Sequence, residues 1–243
     1  MLERELFAAL TALPPLYVRL DGRAFHRLAR ALDLARPFDE QFASAMASVA
    51  RRLVAESGAS PIFAYTFSDE ISCFFTELPF GGRVEKLDSV LAAFAASALT
   101  IELGLAEPVA FDARVIFVDP AAAHAYLAGR QAEAWRNHIN AYAQALLVGD
   151  GLSPRQAAAR LRGLASPALH DLAFAHGVNL NETPAWQRRG TLVYRRPVEV
   201  QGHDPRTGEV AVAVRSRAAI DRDLPLFTSE EGRALLTRLI PGL

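Results

Sequence analysis

The order of apolar segments in the first half of the chain is the feature that most restricts its fold. Runs rich in β-branched and aromatic residues, typical of strands, alternate with segments whose apolar residues recur every three or four positions, as on one face of a helix. The strand-like runs cover 16–20, 62–67, 71–76 and 111–118, and the helix-like segments cover 38–57 and 83–103. The order β-α-β-β-α-β predicts an α+β fold with a ferredoxin-like antiparallel sheet. Polymerase palm domains share this layout, which is an analogy of fold.

The second half predicts helices followed by a hairpin. A residue that can cap a helix precedes a proline at three points, Asp119-Pro120, Ser153-Pro154 and Ser166-Pro167, and each pair predicts a helix start. The β-rich runs 191–200 and 209–216, joined by a turn-rich 203–208, predict a hairpin. We divide the chain into a palm-like catalytic domain, 1–150, and a helical segment with its hairpin, 151–243, packed on it. This boundary is soft, and a single domain is the alternative.

Composition restricts the class of protein. Apolar residues make up 51% and charged residues 22% of the 243 residues, as in soluble globular proteins. No apolar run reaches the ~20 residues of a membrane-spanning helix, and the acidic N-terminus is unlike a signal peptide. The single cysteine, Cys73, excludes an internal disulfide and fits a cytoplasmic location. A net charge of −1 argues against a grip on nucleic acid through bulk charge but leaves local patches open.

Three acids are expected to meet at one end of the sheet. Asp21 ends the first strand, and Asp69 and Glu70 precede the third. In a ferredoxin-like sheet the first and third strands are antiparallel neighbours, so these ends lie side by side. Clustered carboxylates repel unless a cation compensates, and hard oxygen ligands suit Mg²⁺. Two such ions can promote displacement at phosphorus. Ordinary turns at both positions are the alternative.

The residues around these acids extend the pattern. In DGRAFH (21–26), Gly22 permits close approach of backbone amides to a phosphate, and Arg23 and His26 could serve the same anion. The remaining histidines share no spacing for zinc and are interpreted as surface or capping residues: His124, His138, His170, His176 and His203.

A series of motifs then follows along the chain. They are RLDGRAFHRLA (19–29), ARPFD (35–39), AYTFSDEISCFF (64–75), FDARV (111–115), RQA (130–132), LSPRQAAARLRG (152–163) and the GVNLNETPAWQRRGT run that starts at 177. Together they resemble the tRNA(His) guanylyltransferase family, in order from about residue 16 to 194. The resemblance implies a palm-like enzyme that adds nucleotides to the 5′ end of tRNA in the 3′-to-5′ direction. It implies two Mg²⁺ ions, activation of a 5′-monophosphate by ATP or GTP, and attack by the 3′-OH of an incoming nucleotide.

The resemblance also implies roles for individual residues. Asp21, the backbone carbonyl of Gly22, and Asp69 match the metal ligands, and Glu70 matches a further essential acid. The nucleotide-binding positions fall on Gly22, Arg23, Ala24, Phe25, His26, Arg36, Ser68, Lys86, Arg114 and Asn137. Of the 26 lysines and arginines only Lys86 is a lysine, and it falls on a phosphate-binding position. Candidate RNA-binding residues are Arg136, Arg188 and Arg189. Relatives form tetramers, so a cytoplasmic homo-oligomer is expected.

Two departures from the family pattern indicate its bacterial and archaeal branch of guanylyltransferase-like proteins. Where eukaryotic members carry His-Ile-Asn-Asn, this chain has Trp135-Arg136-Asn137-His138, and Leu169 stands at a position expected to be basic. That branch resembles enzymes that restore missing 5′ nucleotides by pairing with the opposite strand, so template-dependent 5′-end repair of tRNA is the leading hypothesis. Addition of the extra G to tRNA(His), a palm-type nucleotide cyclase and a non-catalytic RNA-binding relative are the alternatives.

Overall fold

The computed structural model of the protein describes residues 5–203, 206, 210–240 and 242. The strands are β1 (Leu16–Gly22), β2 (Phe63–Phe67), β3 (Glu70–Phe75), β4 (Phe111–Phe117), β5 (Thr191–His203) and β6 (Val210–Asp221). The helices are α1 (Phe25–Ala31), α2 (Glu40–Glu56), α3 (Val84–Glu102), α4 (Pro120–Gly149), α5 (Pro154–Leu161), α6 (Ser166–Ala175), α7 (Ala185–Arg189) and α8 (Glu230–Leu239). All predicted strands and long helices are present, whereas α1, α7 and α8 were not predicted.

One six-stranded sheet runs in the order β4-β1-β3-β2-β5-β6, with every neighbouring pair antiparallel. The first four strands have the predicted ferredoxin-like order. The predicted tail hairpin is also confirmed, although its turn over 203–208 lies largely outside the described residues. Its strand β5 joins the same sheet, because Thr191–Tyr194 pair with Phe63–Thr66 of β2. The division near residue 150 stays a prediction.

Helices cover both faces of the sheet. Val18 and Leu20 of β1 pack towards α2 and α3, whereas Tyr17 packs on the opposite face with residues of α4 and α8. Every residue of β3 is buried. Strands covered on both faces are apolar throughout, which is why IFAYTF and ISCFF lack an alternating pattern.

Two of the three predicted helix caps are confirmed. The Asp119 carboxylate accepts a hydrogen bond from the amide of Ala122 at 2.7 Å, and Ser153 forms a capping box with Gln156. Ser166 is not a cap: it is the first residue of α6, and Ala165 precedes the helix without a side-chain cap. Pro120 and Pro154 are the first residues of their helices and Pro167 is the second. Proline is tolerated at both positions because amides of the first turn have no acceptor within the helix. Within the described residues, no helix combines the length and apolarity that crossing a bilayer requires.

The interpretation of His138 as a surface or capping residue is wrong. The C-terminal half of α4 is covered by α5 and α6, and His138 is fully buried there. Its ring stacks on Trp135, with centroids 5.2 Å apart, and also contacts Phe38 and Tyr142. The Nε2 atom of His138 lies 2.8 Å from the Thr183 hydroxyl. An aromatic junction thus joins α4 to the segment that follows it.

Candidate active site

Acidic residues meet where β1 ends and β3 begins. Asp21 pairs with Glu70 in the ladder between these strands, so the predicted juxtaposition is confirmed in the backbone register. On its other side Asp21 pairs with Asp112 of β4, an acid that sequence analysis did not single out. Directly paired residues point to the same face of a sheet, so the three carboxylates share one face. The same pairing rule, applied to the FDARV motif, would have identified Asp112.

Asp69 lies in the two-residue turn between β2 and β3. Ser68 takes a left-handed conformation with φ of 51°, and its hydroxyl donates to the Asp69 carboxylate at 3.1 Å. The amide of Gly22 donates to the Asp69 backbone carbonyl at 3.1 Å, which ties this turn to the end of β1. Burial raises the pKa of the Asp69 carboxyl, and the nearby charge of Asp21 adds to the rise. The anionic form of Asp69 therefore favours a nearby cation.

Glu70 is already compensated within the protein. Its carboxylate is only 6% exposed and receives two hydrogen bonds from Arg130 of α4, one of them from Nε to Oε1 at 2.8 Å. The Nε atom of Arg19 lies 3.9 Å from Oε2. Burial raises the pKa of the Glu70 carboxyl, and the hydrogen bonds and charge of Arg130 oppose that rise. Both oxygens of Glu70 are thus engaged by Arg130.

Arginines supply much of the positive charge that sequence analysis assigned to metal ions. Arg19 lies 3.5 Å from the Asp21 carboxylate, and Arg114 lies 3.9 Å from it. The Nε atom of Arg19 is buried and has no hydrogen-bond partner among the described residues. Among those residues, no three or more His, Cys, Asp or Glu side chains group in a way that could hold a metal ion. Among the described residues, Asp69 is the acid of this group without an ion pair, and its role as a metal ligand together with Asp21 stays a prediction.

Two cavities meet at the Asp69 turn. The larger, about 470 Å³, has aromatic walls and several amide side chains: Phe25, Phe38, Phe42, Trp186, Asn137, Asn140, Gln144 and Gln187. The smaller, about 280 Å³, is lined mainly by charged groups: Arg19, Asp21, Glu70, Arg130 and Glu133. Both cavities also contact Phe67, Ser68, Asp69 and Asn137. Asp69 therefore stands in the wall between an aromatic space and a charged one.

Half of the predicted nucleotide-binding residues line the larger cavity: Phe25, His26, Arg36, Ser68 and Asn137. Gly22, Arg23 and Ala24 line neither cavity. The amide of Arg23 donates to the Ala110 carbonyl at 2.9 Å, so it and the Gly22 amide are used within the protein. Gly22 has a structural reason to lack a side chain, because a Cβ there would lie 2.6 Å from the Phe25 ring.

Lys86 lies at the other end of the sheet. It sits in the first turn of α3, whose Val84 amide bonds to the Leu10 carbonyl near the start of β1. The acids stand at the end of β1, with Asp21 five residues or about 17 Å beyond Leu16. Within one chain the structure therefore does not bring Lys86 to the carboxylates, and its predicted role stays untested. Arg114, by contrast, lies on the same face as Asp21, next to it.

The predicted RNA-binding arginines differ in exposure and in the groups they bind within the protein. Arg136 is exposed on α4 and pairs with Glu133. Arg188 donates to the Thr183 carbonyl at 2.8 Å, and Arg189 donates to the Leu224 carbonyl at 2.7 Å. Both are half-buried and fasten backbone segments together, so a structural role accounts for them. Their contact with RNA stays a prediction.

Comparison with known proteins places the chain in a family. A family model described as tRNAHis guanylyltransferase matches residues 3–119. The probable tRNA(His) guanylyltransferase of Mus musculus is 31% identical over 230 residues, which cover 86% of this chain and 77% of that protein. This chain belongs to the tRNA(His) guanylyltransferase family. The resemblance in the sequence motifs is thereby confirmed.

Solved structures show that the family fold extends over nearly the whole chain. A bacterial tRNA(His) guanylyltransferase-like protein in complex with GTP matches with a TM-score of 0.72 at 24% identity, covering 94% of this chain and 91% of that one. The same class of bacterial protein in complex with ATP matches with a TM-score of 0.75 at 23% identity, covering 94% and 92%. The match includes the tail beyond residue 119, where the family model ends.

Proposed function

We propose that this family member is a nucleotidyltransferase that adds nucleotides in the 3′-to-5′ direction to the 5′ end of tRNA, with the opposing strand as template. One observation carries the proposal: Asp69 stands between an aromatic cavity and a charged cavity. Aromatic walls suit a nucleoside base, and arginines suit phosphates. A carboxylate between them lies where a phosphate would react. Bacterial relatives of the same fold were solved with GTP and with ATP.

The donor atoms at this wall fit Mg²⁺. Asp21, Asp69 and the backbone carbonyl of Gly22 offer only hard oxygen donors, and two carboxylates leave positions for water and substrate phosphates. When bound there, Mg²⁺ ions supply charge that polarises phosphate oxygens. Without bound Mg²⁺, Arg19 and Arg114 offset part of the charge of Asp21. Arg130 fixes the orientation of Glu70 beneath the site.

The proposed reaction has two displacements at phosphorus. First, the RNA 5′-monophosphate attacks the α-phosphorus of ATP or GTP and releases pyrophosphate. The 3′-OH of the incoming nucleotide then attacks the RNA 5′ phosphorus, releases the activating nucleoside monophosphate and gives up its proton. In this scheme the larger cavity holds the activating nucleotide through Phe25, His26, Arg36, Ser68 and Asn137. The 5′ end of the RNA occupies the charged cavity.

Addition of G to tRNA(His) is the second candidate, because the named relatives carry that function in their names. Trp135, Arg136 and His138 replace the residues that accompany it in eukaryotic relatives, and Leu169 replaces a basic one. A nucleotide cyclase or a non-catalytic RNA-binding protein is less consistent with family membership over most of the chain. These candidates become outcomes of the test.

The test uses tRNA transcripts that lack the first nucleotide and carry a labelled 5′-monophosphate. Incubation with ATP and each of the four nucleotides should extend them by the nucleotide that pairs with the opposing base. The Asp69→Asn variant is the inactive control. Cyclic or dinucleotide products from nucleotides alone, without extension of RNA, would identify a cyclase, and binding without any extension would reject the enzyme assignment.

A further inference from the structure

The tail hairpin extends past the rest of the sheet. Pairing between β2 and β5 ends at Tyr194, whereas β5 and β6 stay paired as far as His203 and Val210. Beyond Arg195, whose side chain donates to the Val54 carbonyl of α2, the two strands therefore form a free ribbon. On its described part, Pro197, Val198, Arg215 and other side chains are exposed on both faces. A two-stranded ribbon gains little stability by itself, so an extension of this length favours a role in binding.

One face of this ribbon concentrates arginines. The register places Arg196 of β5 directly opposite Arg217 of β6. Arg215, two residues before Arg217 in β6, points to the same face. Like charges directly opposite each other destabilise a sheet. Arg196 is partly compensated by Asp221 at 2.5 Å and lies over the Tyr194 ring at 4.5 Å. Arg215 and Arg217 are exposed and form no ion pair or hydrogen bond within the described part of the chain.

Within the described part of the ribbon, the acidic residue Glu199 lies on the other face. Glu199 is opposite Val214, one position out of phase with Arg196 and Val198, so its side chain points away from the arginines. The arginine face, formed by Arg196, Arg215 and Arg217, is therefore a local positive surface on a chain with a net charge of −1. Guanidinium groups in such an array match the phosphates of a nucleic acid backbone better than an apolar or basic partner.

The arginine face and the carboxylates share one side of the sheet. Glu70 pairs with Phe67 in β2, Tyr65 pairs with Leu192 in β5, and Leu192 pairs with Asp221 in β6, all on that side. Arg217 lies three strands across and about six residues along from Glu70. With ~4.8 Å between strands and ~3.3 Å per residue, the separation is roughly 25 Å. Duplex RNA is A-form and rises less per base pair than the ~3.4 Å of DNA, so this span covers more than about seven base pairs.

We propose that the arginine face binds the phosphate backbone of duplex RNA roughly 25 Å from the 5′ end that is held at Asp21 and Asp69. The inference rests on the proposed function and adds a second contact to it. Double-stranded RNA is recognised mainly through its backbone and shape, which suits a face that carries charge and no base-reading pattern. An enzyme that repairs several tRNAs needs a contact of this kind, because it must hold the stem without selecting its sequence.

The decisive measurement is the salt dependence of RNA binding by Arg215→Ala/Arg217→Ala and by Arg215→Glu/Arg217→Glu. Loss of two phosphate contacts should weaken binding of a 5′-truncated tRNA about tenfold or more near 0.1 M salt. It should also reduce the slope of log K against log salt by about 1 to 2. Arg155→Ala/Arg160→Ala, which removes two exposed arginines of α5, should change neither quantity. A stem-loop of about four base pairs is too short to reach the ribbon, so its binding should be unaffected.

Three results would overturn the proposal: an unchanged slope in the Glu variants, an equal loss with the short stem-loop, or a loss explained by a smaller oligomer in sedimentation. The last result would make the ribbon a contact between copies of the chain. The binding assay needs no catalysis. A protein that adds no nucleotide to any RNA would refute the proposed activity, and the slope would still decide the role of the ribbon.

Discussion

At the residue scale, the protein compensates two adjacent acids differently: Asp69, half-buried in the β2–β3 turn, and Glu70, buried at the start of β3. Glu70 is held by Arg130 and approached by Arg19. Asp69 receives hydrogen bonds from its own turn, and no arginine contributes to the environment that raises its pKa. Asp69 is therefore the acid whose charge depends most on an added cation. We therefore expect the two neighbouring carboxylates to have separate roles, Asp69 in binding the proposed cation and Glu70 in supporting the site.

Asp69→Asn should abolish nucleotide addition, with a loss of at least about 100-fold, because it removes the carboxylate that we propose holds the cation. The free energy of unfolding should be unchanged or higher, since a charge that burial disfavours has been removed. Turnover of labelled tRNA and urea denaturation measure the two effects. Asp171→Asn, at an exposed position of α6, is the control. Near-normal turnover of Asp69→Asn at saturating Mg²⁺ would refute the metal assignment.

Arg130→Met should lower the free energy of unfolding by about 3 kcal/mol, because Glu70 would be left buried without its partner. The double variant Arg130→Met/Glu70→Gln should recover most of that loss, since both charges are then absent. Urea denaturation at pH 7 measures each value. Arg136→Met, which breaks an exposed pair two turns along the same helix, should cost no more than about 1 kcal/mol. Equal losses of unfolding free energy in Arg130→Met and Arg136→Met would show that the buried Arg130–Glu70 pair stabilises the protein no more than the exposed pair.

The sequence predicts elements better than the contacts between them. The order of strands and helices determines which strand ends meet, so the neighbourhood of Asp21 and Glu70 was predictable. The partner of Glu70 was not, because Arg130 lies 60 residues away on a helix whose packing no local pattern specifies. His138 was misjudged for the same reason. The alanine-rich α4 has a weak apolar stripe, and the helices that bury His138 come later in the chain.

Because His138 is buried in the aromatic junction of α4, we expect the free energy of unfolding to fall at acidic pH. Burial lowers the pKa of His138 to about 4, and the charges of Arg188 and His170 add to the effect. The unfolded chain takes up this proton near pH 6.5, whereas the folded protein resists it until about pH 4. The free energy of unfolding should therefore fall as the pH drops through this window, by roughly 2–3 kcal/mol from this residue.

His138→Phe should make the free energy of unfolding less dependent on pH between 6.5 and 4, because phenylalanine fills the aromatic site without binding a proton. Urea denaturation across this range tests the prediction. His176→Gln is a matched control that should keep the acid-side loss. The pKa of His176 is raised by its hydrogen bonds to the Leu172 carbonyl and Asp150, so it does not contribute to that loss. An unaltered pH dependence in His138→Phe would assign the loss to other groups.

At the scale of the whole molecule, the site depends on both halves of the chain. The family model ends at residue 119, yet α4 supplies Arg130 and Asn137 to the two cavities. Trp186 of α7 closes the aromatic cavity from the far end of the sequence. A chain cut after the palm strands would therefore keep Asp21 and Asp69 but lose the support of Glu70 and part of the aromatic cavity.

Substrate choice is a property of this whole arrangement. With Trp135, Arg136, His138 and Leu169 in place of the residues expected for tRNA(His) selection, the identity of the added nucleotide should come from base pairing. A mismatched nucleotide cannot place its 3′-OH in line with the activated 5′ phosphate, and small misplacements greatly reduce the rate. We therefore expect repair of several tRNA species that lack their first nucleotide. Changing the opposing base should change which nucleotide is added, as sequencing of the products would show. Faster addition of G opposite A in intact tRNA(His) than paired repair of truncated tRNAs would instead establish tRNA(His) as the substrate.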